Sequence, residues 1–483
     1  MAKATIPLAG SIQTRDITNY ASRDQQFTNC FSYSIGDEIT GGRRIYTQKR
    51  KGMAAATVSG VGVGNRGSCV WTNQQKLALS FTKSGSSSMQ VFDESSTQIG
   101  GDIANTDACY AIAETMVGTT ATLVGIFRDS GSFNPEAWYY PLAGAWTQIT
   151  DSDFPSSSVI SRFSPPVQKD GYLFWMTEEG KIHNSDINSV SAYSANNNIA
   201  AQSMPDAGVG IASTGDYIAA FGSYSIELFK NVGNPSGSPL SSITGSAIRI
   251  GAAYSYIKTI GNAIYFQGVN SETGDRGIYR MVDGKTSKIS TTEIEKYMTQ
   301  DSIWSCIGSI KDAGMEHVLF SKETQDILAY CTNNNRWWKF AAASNETLIA
   351  ALSVGTQLSQ ITAGNTAKIY TISSNTTEYR DDSVNQTVTI QTAPIDFGTN
   401  KVKFWRSLRL IGDKQSSATS ITVSFSDDDA INFTTAGTID MSTDQLNLNG
   451  LGSSRRRVWK FTNASNTPLR LESFELEYEV GTS

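Results

Sequence analysis

Imidazole is scarce in this 483-residue chain: only His183 and His317 are present, far apart and without acidic or cysteine neighbours spaced as ligands. Metal sites and serine or cysteine triads both draw on histidine, so neither has much material here, and each histidine reads more simply as an ordinary strand or turn residue. The five cysteines, Cys30, Cys69, Cys109, Cys306 and Cys331, are odd in number, scattered and without a C-x-x-C pair. That argues for buried free thiols over a disulfide framework or a zinc site. The run Asp427-Asp428-Asp429 would suit a hard cation such as calcium, but it lacks the alternating spacing, glycine and closing glutamate of an EF-hand loop, and a hairpin turn is the better reading. Gly60-Val61-Gly62-Val63-Gly64 misses the G-x-G-x-x-G spacing and a following helix, which makes it a weak nucleotide signal. Arg455-Arg456-Arg457 precede Val458-Trp459 at the start of a strand, where alternation sends Arg455 and Arg457 to one face and Arg456 to the other. Three such guanidinium groups can pair with carboxylates across a subunit contact. They are the candidate assembly-interface residues, set against the plainer reading of a solvated strand start. No catalytic, cofactor-binding or metal-ligating residue is assigned.

Composition says what kind of elements hold these residues. Charged residues make up 17% of the chain, against ~25% in an average soluble domain, and Ser, Thr, Asn and Gly take their place. Gly and Asn tolerate positive φ, and Ser and Thr bond to turn backbone, so this mixture suits short strands joined by tight turns and disfavours helices. A net charge of −6 gives no electrostatic reason to grip phosphate, although a mildly repulsive wall would let DNA slide past. No continuous apolar segment marks a signal peptide within Met1 to Gln13 or a membrane span elsewhere, so folding in a cytoplasm is expected. The length predicts two or three domains.

A repeat organises the middle of the chain. Short strand pairs around polar turns recur with markers at Phe92, Tyr139, Ile182, Leu228, Tyr279, Tyr330 and Tyr370, at intervals of 40 to 51 residues. Four-stranded propeller blades need about 40–50 residues each. Apolar runs between the markers, Lys76 to Phe81, Tyr172 to Met176 and Asn262 to Phe266, read as inner blade strands covered on both faces by neighbouring blades. The count is about seven blades over residues 56–374, with six as the alternative, and a strand near Arg44-Ile45-Tyr46 could close the ring. One helix is predicted at Thr291 to Met298, with a threonine cap, as a connector between blades.

The ends differ. Residues 375–483 carry longer alternating strands, at Gln386 to Thr392, Phe404 to Gly412, Ser420 to Ser426, Arg455 to Thr462 and Pro468 to Val480, which predict a separate β-sandwich docking domain. The last strand alternates Glu475, Glu477 and Glu479 with Phe474, Leu476 and Tyr478, so one face is acidic and meets solvent or a partner. Residues 1–55 read as an irregular arm, with a basic cluster of Arg43, Arg44, Lys49, Arg50 and Lys51 ending at Gly52, either ordering on assembly or forming a solvated loop. The fold class is therefore all-β: a propeller, a C-terminal sandwich and an N-terminal arm.

Many propellers act on glycans, and a glycan-binding or glycan-hydrolysing receptor-binding propeller is the alternative function. No S-x-D-x-G-x-T-W box of the sialidase kind repeats here, though carboxylates could still converge in space. A secreted adhesin is a further rival. The segment Gly171-Tyr172-Leu173-Phe174-Trp175 through Ser185-Asp186 to Ser191-Ala192-Tyr193, then Gly215 to Phe229 with its F-G-S-x-S-I-E-L-F run, resembles the tail hub, or nozzle, proteins of short-tailed bacteriophages, also called packaged-DNA stabilisation proteins. The likeness continues at Ile250 to Tyr254, Ile294 to Lys296, Val318 to Phe320, Leu328 to Tyr330, Trp337, Val458 to Lys460 and Leu469 to Leu471. Asn29 followed by a basic segment ending in glycine is similar too, with Lys51 standing where the family often has proline. The resemblance implies a non-enzymatic virion subunit, a homohexameric ring docked below the portal–adaptor complex. That ring would carry tail fibres or spikes, be closed by a needle or plug, and enclose the exit channel for double-stranded DNA. It implies no cofactor and no catalytic residue.

Overall fold

The computed structural model describes residues 2–12, 25–36, 43–155, 159–161, 163–298, 303–322, 327–343, 347–354, 358–363, 366–373, 377–444 and 446–482. Strands dominate them. Five separate antiparallel sheets follow one another as propeller blades. The first uses Val61–Trp71, Lys76–Lys83, Ser88–Phe92 and Ile103–Ala104, and the second Thr106–Val117, Thr120–Asp129, Pro135–Pro141 and Thr147–Gln148. The third to fifth occupy residues 167–200, 208–242 and 250–288. Tight hairpins set their register. Asp170-Gly171 and Asp283-Gly284 both take positive φ at each residue, the two-residue turn whose twist matches its strands, and they pair Lys169 with Tyr172 and Val282 with Lys285.

Two more four-stranded meanders follow, Ser305–Asp312 to Arg336–Phe340, and Leu348–Val354 to Lys368–Ser373 with Ala54–Thr57 as its fourth strand. Both lie within one 13-stranded composite sheet, joined to each other through Gly308 and Ala351. All seven marker residues fall on the third strand of their meander. The apolar runs read as inner strands are the second strands. The innermost ones, such as Gly208–Thr214 and Val61–Trp71, are rich in Gly and Ser because they line the axis, and Gly60 to Gly64 belongs to one of them. The late strand that takes a partner from the N-terminal region pairs with Ala54–Thr57, where Arg44 to Tyr46 was expected. The predicted helix spans Thr292–Tyr297, with Thr291 as its cap, and connects the fifth blade to the next meander.

Side chains link successive sheets. Separate buried clusters join the first blade to the second, the second to the third, the third to the fourth, the fourth to the fifth, and the fifth to the Ser305 meander. A further cluster packs Val61, Leu77, Leu79 and Phe81 of the first blade against Ile369 and Leu352 of the last meander. Each sheet is thus apolar on both faces, as stacking requires.

Residues 1–55 were expected as an irregular arm, but much of this segment is strand. Ala2–Pro7 pairs with Arg470–Val480, Cys30–Gly36 with Arg43–Lys49, and Gln26–Thr28 with Val388–Gln391. The partners of Ala2–Pro7 and Gln26–Thr28 lie at the far end of the chain, so no local pattern reveals those two strands, whereas Cys30–Gly36 and Arg43–Lys49 form a local hairpin. C-terminal strands form at Val388–Gln391, Lys403–Gly412, Ser420–Ser426, Thr434–Asp440, Val458–Asn463 and Arg470–Val480. They divide between a seven-stranded sheet and the end of the composite sheet, which reaches the Arg336–Phe340 strand through Thr28 and Lys339. Trp405, Trp459, Phe461 and Phe474 meet between the two layers, in one core with Trp338, Phe340 and Tyr370 of the meanders. The C-terminal sheets therefore share their core with the meanders, and the boundary drawn at 374/375 lies outside the described residues.

Candidate functional site

Two members of the basic cluster near residue 50, Lys49 and Arg50, are buried, while Arg44 is exposed. Lys49 and Arg50 are each 1% exposed, and Asp381 beside them is fully buried. Arg50 donates Nε to Asn29 Oδ1 (2.9 Å), Nη1 to Asp381 Oδ1 (2.9 Å) and to the Lys51 carbonyl (2.9 Å), and Nη2 to Asp381 Oδ2 and to the Ala341 carbonyl (3.0 Å). Every guanidinium N–H is satisfied, and the group lies over the Phe340 ring at 4.2 Å. Asp381 also accepts from Met53 N and Ala343 N, and Asn29 from Ala341 N while donating to the Thr387 carbonyl. The latch ties the N-terminal segment, the composite sheet and the C-terminal sheets together at one point. Lys49 completes it with bonds from Nζ to Asn463 Oδ1 (3.1 Å) and the Ser465 carbonyl (2.6 Å), and burial lowers its amine to about 8. Asp312 accepts from Lys51 N (2.8 Å) but leaves Oδ1 without a partner, and burial pushes its carboxyl up to about 6. Gly52 needs its lack of a side chain because a Cβ would strike the Arg380 backbone.

The three candidate interface arginines part company. Arg457 is 1% exposed, bidentate to Asp427 (2.7 and 2.8 Å), bonded to the Leu451 carbonyl and stacked on Phe425 at 3.8 Å between Trp405 and Trp459. It is consumed within the fold, which corrects its assignment as a contact residue. Arg455 is exposed and donates to the Asn400 carbonyl (2.7 Å), and Arg456 is exposed and pairs with Asp429. The three lie just before the Val458–Asn463 strand, so strand alternation does not govern them. The Asp427 to Asp429 run forms the hairpin connection between Ser420–Ser426 and Thr434–Asp440, with Asp428 accepting from Asn432. The acidic face of the last strand is partly neutralised from within: Lys3 pairs with Glu477 and Arg406 with Glu479.

A cavity of about 770 Å³ occupies the propeller axis, lined by innermost strands of all seven meanders. Among the described residues its charged groups are Glu114, Lys258, Lys311 and Glu316, and its lining holds neither an aromatic ring nor an arginine. At the end where the inner strands begin, Tyr110, Phe163 and Tyr256 pack ring to ring (4.9 and 4.7 Å), with the Arg66 guanidinium over Tyr256 at 4.4 Å. Only a void of about 20 Å³ separates this cap from Lys258. His317 lies elsewhere, buried against Phe31 and Trp338, accepting from Trp338 Nε1 (3.1 Å) and lowered to about 3 by burial. His183 sits on a third-blade strand, and all five cysteines are free.

Comparisons with known proteins bear on this architecture. Among solved structures the chain is similar to the computationally designed Ika8 protein, with a TM-score of 0.36, 7% identity and coverage of 68% of this chain and 97% of that one. It is also similar to BBS1N in complex with ARL6DN, with a TM-score of 0.44, 11% identity and coverage of 68% and 98%. No curated protein sequence matches it. A family described as the bacteriophage P22 Gp10 β-propeller, a phage-stabilisation family, matches residues 38–347. With more than half of its length matched, across the strands that build the blades, the chain belongs to the phage-stabilisation family of the P22 Gp10 β-propeller.

Proposed function

We propose that the chain is a non-enzymatic structural subunit of a phage tail hub, or nozzle, that helps retain packaged DNA. The five blades and two further meanders act as one seven-bladed propeller closed by Ala54–Thr57, and the C-terminal layers act as a β-sandwich docking unit. The observation that carries the reading is the family match over residues 38–347. The shared core and the Arg50 latch support it, because a part whose value is its shape must not flex between its layers. Several copies, six by the resemblance, close a ring by repeated heterologous contacts below the portal–adaptor complex. Fibres or spikes sit outside, and a needle or plug closes the lumen. Exposed Arg455 and Arg456 remain the proposed contact residues.

The propeller axis is not the DNA channel in this account. A cavity of about 770 Å³ is the size of a small-ligand pocket, ~300–1,000 Å³, and an aromatic cap shuts one end. A duplex whose major groove alone is about 12 Å wide does not thread it. DNA instead passes through the space enclosed by the copies, and the net charge of −6 on each gives phosphate no general electrostatic grip. The glycan-processing alternative draws on the same cavity, but a lining without aromatic rings gives sugar faces nothing to stack on. Mixing the purified chain with portal–adaptor particles and following sedimentation tests the proposal. Co-sedimentation as a discrete ring is expected, and failure to join, together with turnover of a glycan substrate, overturns it.

A further inference from the structure

We infer that the axial cavity is a binding site for a small oxyanion, phosphate or carboxylate, anchored by Lys258. The cavity's two carboxylates are already engaged. Glu114 accepts from Thr72 N at 2.6 Å, and Glu316 accepts from Ser309 Oγ at 3.1 Å and stands opposite Lys311 in the strand pair. Lys258 differs, because no carboxylate lies within ion-pair distance of it among the described residues. Its hydrogen bond, to the Ser68 carbonyl across the axis, is 3.5 Å long, at the outer limit of such a contact.

The groups packed around Lys258 include one further cation and three thiols. Arg66 lies on one side, and the thiols of Cys69, Cys109 and Cys306 on the others are held neutral because burial raises each of them. Burial also pulls the Lys258 amine below its usual range. A cation drawn partly out of water is tolerated best when it is paired, and half-buried Lys258 has no ionic partner among the described residues. The same cavity lining carries the hydroxyls of Thr72 and Ser213, donors suited to an oxyanion. The aromatic cap closes the end beyond Lys258, so the ligand enters from the end that carries Glu114 and Lys311.

Isothermal titration of the full chain with sodium phosphate and, separately, sodium acetate at constant ionic strength tests the inference. At least one salt gives saturable one-site binding, weakened at least tenfold in Lys258→Met and unchanged in Lys285→Met, which alters an exposed lysine on the outer strand of the same blade. Phosphate binding alone identifies the ligand as a phosphate, and acetate binding alone as a carboxylate. A second readout needs no variant: the bound anion protects Lys258 from reductive methylation, scored by peptide mass spectrometry. No saturable heat with either salt, equal binding by Lys258→Met, or equal methylation with and without anion overturns the inference.

Discussion

Five N–H groups leave the Arg50 guanidinium and five acceptors receive them, two on Asp381, which lies 331 positions further along the chain. Removing one partner of such a buried pair strands the other charge, at a cost of about 3–5 kcal/mol. Arg50→Met is therefore expected to lower the urea midpoint sharply, and Arg50→Met with Asp381→Asn to lower it by less than the single change, a coupling that a double-mutant cycle reads directly. Asp312 predicts a pH effect of definite sign. Its carboxyl titrates near 6 when folded and near ~3.9 when unfolded, so the folded chain holds that proton more tightly. Its contribution is fully present below about pH 4 and is lost as pH rises through 6, on the order of 2–3 kcal/mol in all. Wild-type thermal stability measured at pH 5 and pH 7 should show this loss, and Asp312→Asn should flatten it. None of these roles could be read locally. A run of basic residues looks solvated until Asn29, Asp381 and Asn463 are brought to it by the fold, and Arg457 looked like a contact residue until Asp427 and three aromatic rings enclosed it.

Among the elements, the second and third strands of the meanders were legible because their apolar runs and markers are dense: Tyr172–Met176 is almost wholly buried, and Leu228 and Tyr279 fall on third strands. The innermost strands were not legible, since strands that line the axis, such as Gly208–Thr214, mix Gly, Ser and Thr with their apolar residues and so give no dense apolar run. The N-terminal strands escaped because pairing, and not composition, makes them strands, with Ala2 opposite Tyr478 and Thr57 opposite Lys368. Ala54–Thr57 can be tested by two single changes. Bonded and non-bonded positions alternate along an antiparallel pair, so of Ala55→Pro and Ala56→Pro one removes a ladder hydrogen bond and the other does not. One variant should lose several degrees of melting temperature with faster amide exchange over Lys368–Ser373, and the other should change little. Equal, small effects in both would mean that this strand does not hold the last meander.

For the whole molecule, evenly spaced hairpins predicted a propeller and the family resemblance predicted a structural phage role, and membership of the phage-stabilisation family agrees with those two coarse readings. The fusion of the C-terminal layers to the last meanders was not legible, because a shared core is a property of packing between distant segments such as Trp405 and Trp338. The proposed hub role is a matter of geometry: copies of this chain would surround the DNA, and no duplex would pass through the axis of any one of them. Cryo-electron microscopy of tailed particles with DNA held in the exit channel tests that most directly. The expected map shows several propellers arranged around the duplex, each axis capped at Tyr110, Phe163 and Tyr256 and free of DNA. Duplex density running through a propeller axis, or particles lacking this chain at the tail, would contradict it.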